Sequence, residues 1–174
     1  MSFIREKRKS VFTNSRFTIY EDDVIFPDGK TKGKYNVLEF PNKTVVSLAH
    51  RDDEILMIES FRYPTNSIEL ELPAGGIEEG ETPEQAAKRE TLEETGYETV
   101  DHKVIYEAQT SNGISDHTFT IVSSRVKEMK SLFDKNEINT VLLININKVK
   151  KLLKENKIKD APTIVALMLC NLNI

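Results

Sequence analysis

Three glutamates lie close together in a short segment that follows two adjacent glycines. The segment "ELELPAGGIEEGETPEQAAKRETLEETGYE" contains Glu90, Glu93 and Glu94, whose spacings of three and four place them on one face of a helix. Helix propensity does not account for this arrangement, because like charges on one face repel each other. Mg²⁺ takes carboxylate oxygens as ligands and commonly keeps waters and substrate phosphates as well. On spacing alone a solvated glutamate-rich face is the more common explanation, and a divalent-cation site is the alternative that the neighbouring residues favour.

The residues around this cluster indicate the elements that must position it. Thr82 is suited to an N-cap, Pro83 to the first helical position and Gly96 to the end of a helix, so the pattern predicts a helix from Pro83 to Thr95. Arg89 adjoins the carboxylates and can hold one of them in place. The preceding "LPAGG" provides backbone that only small residues allow close to a ligand.

Strand signals on both sides of this helix predict an α+β fold. "SRFTIYEDDVIF" and "KGKYNVLEF" flank a "PDGK" turn, and "KTVVSLAH" and "EILMIESFRY" form a second pair, whose polar residues 50–54 predict more than a tight turn. Three further strands, "KVIYEAQT", "HTFTIVSSRV" and "INTVLLINI", precede two helices, for which Asn147 and Asp160 are cap candidates. Such runs indicate an α+β or mixed-sheet sandwich. We expect an N-terminal β subdomain over residues 1–41 and a main domain over residues 42–174.

Composition limits the partners and the location of the protein. The 174 residues carry a formal net charge of −4, unlike the strongly basic domains that coat nucleic acids. The basic run "REKRK" near the N-terminus is interpreted as a solvated terminal segment. No stretch approaches the roughly 20 apolar residues that cross a bilayer, and the lone Cys170 can form no intramolecular disulfide. We therefore expect a cytoplasmic protein without nucleic-acid or membrane partners.

The glutamate segment resembles the Nudix box, G-x5-E-x7-R-E-U-x-E-E-x-G-U, in which U is a bulky aliphatic residue. Its fixed positions are filled by Gly75, Glu81, Arg89, Glu90, Glu93, Glu94 and Gly96. Two packing positions depart, because Thr91 and Tyr97 stand where aliphatic residues are usual. The resemblance implies the Nudix fold, an α/β/α sandwich with a mixed β-sheet between helices.

The resemblance also implies hydrolysis of a nucleoside diphosphate linked to another moiety, with Mg²⁺ or Mn²⁺ as cofactor. The implied metal ligands are Glu90, Glu93, Glu94 and the backbone carbonyl of Ala74. Glu93 and Arg89 would serve catalysis, with Arg89 orienting a carboxylate. Glu81 would hold the box together or reach a metal through water.

Segments that flank the box resemble the ADP-ribose pyrophosphatase branch of this family. "IESFRYP" and "LELPAGGIEEGE" match it, and "KIKDAPTIVALML" resembles its C-terminal "I-x-D-x-K-T", with Pro162 in place of the lysine. The resemblance implies that Arg62 and Glu71 lie at the substrate, where an arginine can bind phosphate bidentately. The alternative for Arg62 is a surface ion pair with Glu59 or Glu71.

The loop "SNGISDH" resembles the branch's "S-P-G-x-S-D/N-E" but has Asn112 for the proline and His117 for the glutamate. The resemblance implies that the substrate-binding loop includes Ser111, Asn112 and Gly113. The branch often places a catalytic glutamate before a late strand, which matches Glu137 in "FDKNEINTV". His117 is a second candidate for the base, because imidazole titrates near neutrality.

The leading hypothesis is a homodimeric, Mg²⁺-dependent pyrophosphatase that acts on a small nucleoside diphosphate derivative, either ADP-ribose or a similar nucleoside diphosphate sugar. A non-catalytic binding module or sensor on the same fold is one alternative, and a hydrolase for a different dinucleotide or nucleotide is another. An RNA-end pyrophosphohydrolase is disfavoured, because the chain is acidic.

Overall fold

The computed structural model describes residues 2–133, 135 and 138–171. The strands in these ranges are β1 (Ile4–Thr13), β2 (Thr18–Ile25), β3 (Lys32–Glu39), β4 (Thr44–Arg51), β5 (Glu54–Arg62), β6 (Ser67–Glu71), β7 (Ala74–Gly76), β8 (Tyr97–Gln109), β9 (Thr118–Met129) and β10 (Ile138–Asn145). The helices there are α1 (Pro83–Thr95), α2 (Ile146–Lys154) and α3 (Ala161–Asn171). Not one of these described helices has the length and apolar character to cross a membrane.

The chain divides into two compact units. The first consists of Met1–Lys43 and Gln109–Thr118, and the second of Thr44–Ala108 and Phe119–Ile174. The first unit therefore includes a loop from the middle of the sequence, which a single boundary at residue 41 does not anticipate.

The first unit contains a three-stranded antiparallel sheet in the order β1-β2-β3. The predicted hairpin is confirmed, because β2 pairs with β3 from Thr18 opposite Glu39 to Ile25 opposite Lys32. Its turn forms for local reasons. The Asp28 carboxylate accepts hydrogen bonds from the backbone N–H groups of Lys30 and Thr31, and Gly29 takes a positive φ of 72°.

The basic run "REKRK" forms part of β1 rather than an irregular chain end. Most of its side chains are exposed, but Arg8 is held by one charged partner on β2 and one on β3. Its Nε and Nη2 donate to the Asp22 carboxylate at 2.8 and 2.9 Å, and its Nη1 donates to Glu39 at 2.8 Å. The guanidinium also lies 4.4 Å from the centre of the Tyr20 ring. The hydrogen bonds to Asp22 fix β1 against β2. Both Asp22 and Glu39 are too far from Arg8 in the sequence to be predicted as its partners from local patterns.

The loop "SNGISDH" is bound within the first unit, along β3. The Tyr35 hydroxyl donates to the carbonyl of Gly113 at 2.7 Å. The His117 ring packs against the Phe40 ring with centroids 4.5 Å apart. The loop thus has specific partners in the N-terminal sheet.

The second unit contains a mixed sheet in the order β10-β5-β4-β9-β8, extended by β6 beside β5 and by β7 beside β4. The prediction of a mixed sheet is confirmed, because β4 runs parallel to β9 while β5 runs antiparallel to β4 and β10. The prediction of a long β4–β5 connection is wrong. Arg51 pairs directly with Glu54, and the two-residue turn closes because Asp52 adopts a left-handed φ of 50°.

Helices cover both faces of this sheet, as the predicted sandwich requires. Val45 of β4 packs with Ala86 and Ala87 of α1 on one face. Val46, its neighbour, points to the opposite face and packs in the larger core cluster that includes Leu167 of α3. β4 therefore lies between α1 and the C-terminal helices.

The caps of the C-terminal helices agree only in part with the sequence. Asn147 does not cap α2, because the N-cap is Asn145, whose side chain accepts the N–H of Asn147 at 3.0 Å. Asp160 does cap α3, since its carboxylate accepts the N–H of Thr163 at 2.8 Å.

We expect the pair of Asp22 and Arg8 to make stability depend on pH. The hydrogen bond from Arg8 lowers the pKa of Asp22, whose side chain is almost fully buried. Its contribution is therefore fully present above the unfolded pKa of about 3.9 and is lost as the pH falls through the lower folded pKa. Asp22→Asn should reduce the free energy of unfolding by about 2 kcal/mol at neutral pH.

Urea titrations of the wild type and the variant check this expectation, and their difference should shrink as the pH is lowered toward the folded pKa of Asp22. Asp23→Asn is the matched control, because Asp23 is the next residue on β2 and points to the opposite face of the sheet. A difference that stays constant with pH would contradict the assignment.

Candidate active site

Helix α1 begins and ends at the residues that the sequence predicts. The Thr82 hydroxyl accepts the N–H of Gln85 at 3.3 Å, and the Gln85 side chain accepts the N–H of Thr82 at 2.8 Å, which completes a capping box. At the other end Gly96 takes a left-handed φ of 74°. A Cβ there would lie 2.1 Å from the carbonyl oxygen of Ser131, so glycine is needed for space as well as conformation. These ends fix which side chains of α1 face β7.

Two of the three glutamates lie against the glycine strand β7, which pairs with the start of β4. A Cβ added to Gly75 would lie 2.1 Å from Cδ of Glu90, so the Glu90 carboxylate rests directly on the backbone at Gly75. The Glu94 carboxylate accepts the N–H of Ala74 at 2.9 Å. The "LPAGG" turn therefore supplies the backbone side of the site, as the sequence indicates.

Arg89 joins the loop, the strand and the helix of this site. Its Nε and Nη2 donate to the two oxygens of Glu81 at 2.9 and 2.8 Å, and its Nη2 also donates to the carbonyl of Gly76 at 2.9 Å. Its Nη1 donates to Glu90 at 2.7 Å and to Glu93 at 3.3 Å. One guanidinium thus offsets the repulsion among three carboxylates.

The carboxylates around Arg89 differ in their electrostatic state. The hydrogen bonds from Arg89 lower the pKa of Glu81 to about 2, which keeps this carboxylate ionised. Burial raises the pKa of Glu90 in spite of Arg89, so this group is poorly solvated and would gain from a further positive charge. The side chain of Glu93 is 58% exposed and points toward solvent.

The residues fit a divalent cation, although the protein groups alone do not enclose one. Within the described residues, no three acidic, histidine or cysteine side chains converge closely enough to hold an ion. Mg²⁺ does not require such a cage, because it usually keeps waters and binds through one or two carboxylates and substrate phosphates. The space that Gly75 leaves for the partly desolvated Glu90, with Glu94 nearby, matches that demand.

Arg62 of β5 is paired with Glu71 of β6. Its Nε donates to the two Glu71 oxygens at 2.9 and 3.1 Å, and its Nη2 donates to the same carboxylate. The hydrogen bond to Glu71 is the main cause of the raised pKa of Arg62, and the charges of Glu94 and Asp160 add to it. Arg62 therefore belongs to the same electrostatic neighbourhood as Glu94.

The C-terminal motif "IKDAPT" is hydrogen-bonded to the segment that carries Glu71, and this contact was not predicted from the sequence. The Leu72 N–H donates to the Thr163 hydroxyl at 3.0 Å, which ties the residue after Glu71 to α3. Ile158 is buried in the core, and Asp160 caps α3. The motif was visible in the sequence, but its contact is with a segment 91 residues away.

The predicted loop residues Ser111, Asn112 and Gly113 lie in the first compact unit, whereas Arg62 and the glutamates lie in the second. All three are exposed, and the Ser111 carbonyl accepts backbone hydrogen bonds within its own turn. His117 in the same loop is partly buried, which lowers its pKa. Glu137, the other candidate for a catalytic base, lies outside the described residues.

Thr91, a departure from the box, is accommodated by a polar partner beneath α1. Its side chain is fully buried, and its hydroxyl lies 2.7 Å from both the Ser47 hydroxyl and the Ala87 carbonyl. Ser47 lies on β4, so a serine–threonine pair replaces an aliphatic contact between helix and sheet. Tyr97, the other departure, packs beside Ala49 and Leu56.

The fold and this arrangement of carboxylates define a hydrolase of phosphoric anhydride bonds. Comparison with protein families agrees, because the NUDIX domain matches residues 41–167, which is well over half of the chain. The chain belongs to the NUDIX family.

Among curated proteins, the chain is 31% identical to an ADP-ribose pyrophosphatase of Bacillus subtilis (strain 168) over 173 residues, which cover 96% of this chain and 93% of the relative. It is 29% identical to a methanol dehydrogenase activator of Bacillus methanolicus over 163 residues, with coverage of 92% and 88%. A crystal structure of an ADP compounds hydrolase superposes with a TM-score of 0.89 at 21% identity and covers 98% of this chain and 93% of that one. This last likeness shows the fold.

We expect Gly75→Ala to abolish most hydrolytic activity with little loss of stability. The added methyl group would collide with the carboxylate end of Glu90, which can swing away without a shift of the backbone but would then leave its position beside Arg89. Turnover of a diphosphate substrate should fall by about 100-fold, as when a group that orients a metal ligand is lost, while the melting temperature stays near that of the wild type.

Gly76→Ala is the matched control, because a Cβ at Gly76 would meet open space. Full activity in Gly75→Ala, or equal losses in both variants, would show that the position of Glu90 against Gly75 is not required.

Proposed function

We propose that this protein is a Mg²⁺- or Mn²⁺-dependent pyrophosphatase that hydrolyses the diphosphate bond of ADP-ribose or a similar nucleoside diphosphate sugar. The products would be a nucleoside monophosphate and a sugar phosphate. The observation that carries the proposal is the contact of the Glu90 carboxylate with Gly75 beside Glu94. The ADP-ribose pyrophosphatase among the relatives supports this class of substrate.

The metal would be held by Glu90, Glu94, the more exposed Glu93 and the Ala74 carbonyl. When bound, a divalent cation neutralises phosphate oxygens and lowers the pKa of a bound water. Arg89 fixes Glu90 before substrate arrives, so the ligand need not be ordered during binding. Arg62 is half-exposed and can donate to a phosphate oxygen.

The remaining roles follow from the family resemblance. Glu137 is proposed as the base that accepts a proton from the attacking water, with His117 as the alternative. Ser111, Asn112 and Gly113 are proposed to contact substrate through their exposed loop.

We expect Asn112→Ala to change the KM for nucleoside diphosphate sugars more than it changes kcat, because the loop would bind substrate and take no part in the chemical step. An unchanged KM would show that the loop does not contact substrate.

A second candidate is a protein that acts on another enzyme, since one relative is named as an activator. A further candidate without catalysis is a nucleotide-sugar binding module or sensor on the same fold. The complete set of box glutamates, with Arg89 in place among them, favours turnover. The last alternative is a NUDIX hydrolase whose substrate is a different dinucleotide or nucleotide. It differs from the leading proposal only in the substrate.

A substrate panel tests the proposed function. ADP-ribose, other nucleoside diphosphate sugars, dinucleotides and nucleoside triphosphates are incubated with Mg²⁺, Mn²⁺ or a chelator, and the products are identified by chromatography. We expect AMP and ribose phosphate from ADP-ribose, and no product with the chelator. Glu93→Gln and Glu94→Gln should each lower turnover by 10-fold to about 100-fold, because each removes a carboxylate charge from the metal site.

Glu79→Gln is the matched control, because Glu79 lies in the same acidic segment, is exposed and occupies no fixed box position. Undiminished turnover in both Glu93→Gln and Glu94→Gln would contradict the metal assignment. Tight binding of a nucleotide without product would favour the non-catalytic alternative.

We also propose that the protein forms a homodimer through its N-terminal strand. Four apolar side chains at the ends of this segment are about half exposed or more, namely Phe3, Ile4, Val11 and Phe12. Exposed apolar side chains that lie side by side on one strand can be buried in a contact with a second copy of the chain. Light scattering should give twice the chain mass of 19.9 kDa, and Val11→Lys should shift the protein toward monomer. A monomer at high micromolar concentration would refute the dimer.

A further inference from the structure

Glu71 of β6 has a buried carboxylate. It lies on the same face of the β5–β6 pair as Arg62, with which it forms hydrogen bonds. The residue is only 4% exposed, and both of its carboxylate oxygens accept hydrogen bonds from Arg62. The family resemblance implies that Glu71 lies at the substrate. A carboxylate would repel a diphosphate, however, so a direct contact with the phosphates is unfavourable. Because Glu71 is almost fully buried and both of its oxygens accept from Arg62, its direct effect is on the position of the Arg62 guanidinium.

Glu71 accepts hydrogen bonds from one edge of the Arg62 guanidinium and does not contact the opposite edge. A guanidinium has five N–H groups in a plane, and Glu71 binds the edge formed by Nε and Nη2. Within the part of the chain that the structure describes, Arg62 donates its side-chain hydrogen bonds to Glu71. The edge formed by Nη1 and the second Nη2 hydrogen has the geometry that binds two oxygens of a phosphate. The Arg62 side chain as a whole is 48% exposed, and the hydrogen bonds to Glu71 use only its Nε and Nη2 atoms.

Glu71 is itself held by the backbone on either side. It pairs with Ile58 across the β5–β6 ladder. Leu72, the next residue, is fully buried, and its N–H donates to Thr163 of α3. A carboxylate fixed in this way can orient a flexible arginine, because its own rotamer has little freedom.

Arg62 has other attractive partners when Glu71 does not hold it. Glu94 and Asp160 both lie close enough to raise the pKa of Arg62. An arginine released from Glu71 would move toward these carboxylates. A contact with Glu94 would then compete with the proposed metal site as well as remove the phosphate-binding edge.

We propose that Glu71 is a positioning residue that directs the Nη1–Nη2 edge of Arg62 toward a phosphate of a nucleoside diphosphate substrate. This inference rests on the proposed function, since it assigns a role within the same site. It predicts that Glu71 affects the reaction only through Arg62.

Steady-state kinetics with ADP-ribose test this role. Glu71→Gln keeps the shape of the side chain but weakens its hold on Arg62, and it should raise KM by about 10-fold or more, the effect of a lost charge-assisted hydrogen bond. Arg62→Ala should show a similar or larger increase. The double variant should be no worse than Arg62→Ala, because Glu71 has no further role once Arg62 is gone.

Glu69→Gln is the matched control, since Glu69 lies on the same face of β6 and its carboxylate accepts from Ser67 rather than from Arg62. Thermal melting of each variant identifies any loss of folded protein. A purely structural role for Glu71 would lower the melting temperature and the amount of active enzyme but would leave KM unchanged.

Chemical rescue gives a second and independent readout. Millimolar guanidinium ion should restore part of the activity of Arg62→Ala, because Glu71 remains to bind it in the place of the lost side chain. It should restore none in the double variant. Rescue of both variants to the same degree would overturn the positioning role.

The results separate this inference from the proposed function. If the wild type cleaves ADP-ribose and Glu71→Gln has an unchanged KM, the positioning role is wrong and the function stands. If the wild type cleaves none of the panel, the proposed function is wrong. The positioning role is then tested by calorimetric titration with ADP-ribose, where equal affinities of the wild type and Glu71→Gln would overturn it.

Discussion

The guanidinium of Arg89 makes an unfavourable collection of charges into a rigid site. Glu81, Glu90 and Glu93 would repel one another, and Glu90 is largely buried. Arg89 donates to all three and to the carbonyl of Gly76. The loop before α1, the helix itself and strand β7 are therefore joined through a single side chain. Because each of these carboxylates accepts a hydrogen bond from Arg89, their positions are set by the protein itself.

Arg62 resembles Arg89 in chemistry but differs in how it is used. Arg89 is enclosed by acceptors, with hydrogen bonds to three carboxylates and one carbonyl. Arg62 is held along one edge by Glu71 and stays about half exposed. The first arginine thus maintains the protein part of the site, and the second is available to a ligand. A lysine could replace neither without loss, because both roles need a planar group with several donors.

The sequence predicted the parts of the site that depend on neighbours along the chain. Thr82, Pro83 and Gly96 are local signals, so the limits of α1 were found correctly. The fixed spacing of the box likewise predicts roles for Gly75 and Arg89, and in the structure both contact Glu90. The tight turn at Asp52 was missed, because a non-glycine residue with a positive φ leaves only a weak signal in composition.

Contacts between distant segments could not be predicted. The polar partner of Thr91 is Ser47, which lies 44 residues away, and the acceptor for the Leu72 N–H is Thr163, which lies 91 residues away. Arg8 contacts Asp22 only because β1 pairs with β2 in a register that places these two residues opposite each other. Each of these contacts needs the register of the sheet or the packing of a helix, and neither is encoded by the spacing of residues in one segment.

Residues 109–118 belong to the first compact unit, so protein engineering has to treat them together with the N-terminal segment. The loop is bonded to the N-terminal sheet through Tyr35 and Phe40, although β8 and β9 connect it to the second unit. A chimera that exchanged only the first 43 residues would separate the loop from the partners that shape it. An exchange that carries both segments would keep those contacts and leave the glutamate helix untouched. The two segments are therefore separate in the sequence but belong to one compact unit of the folded protein.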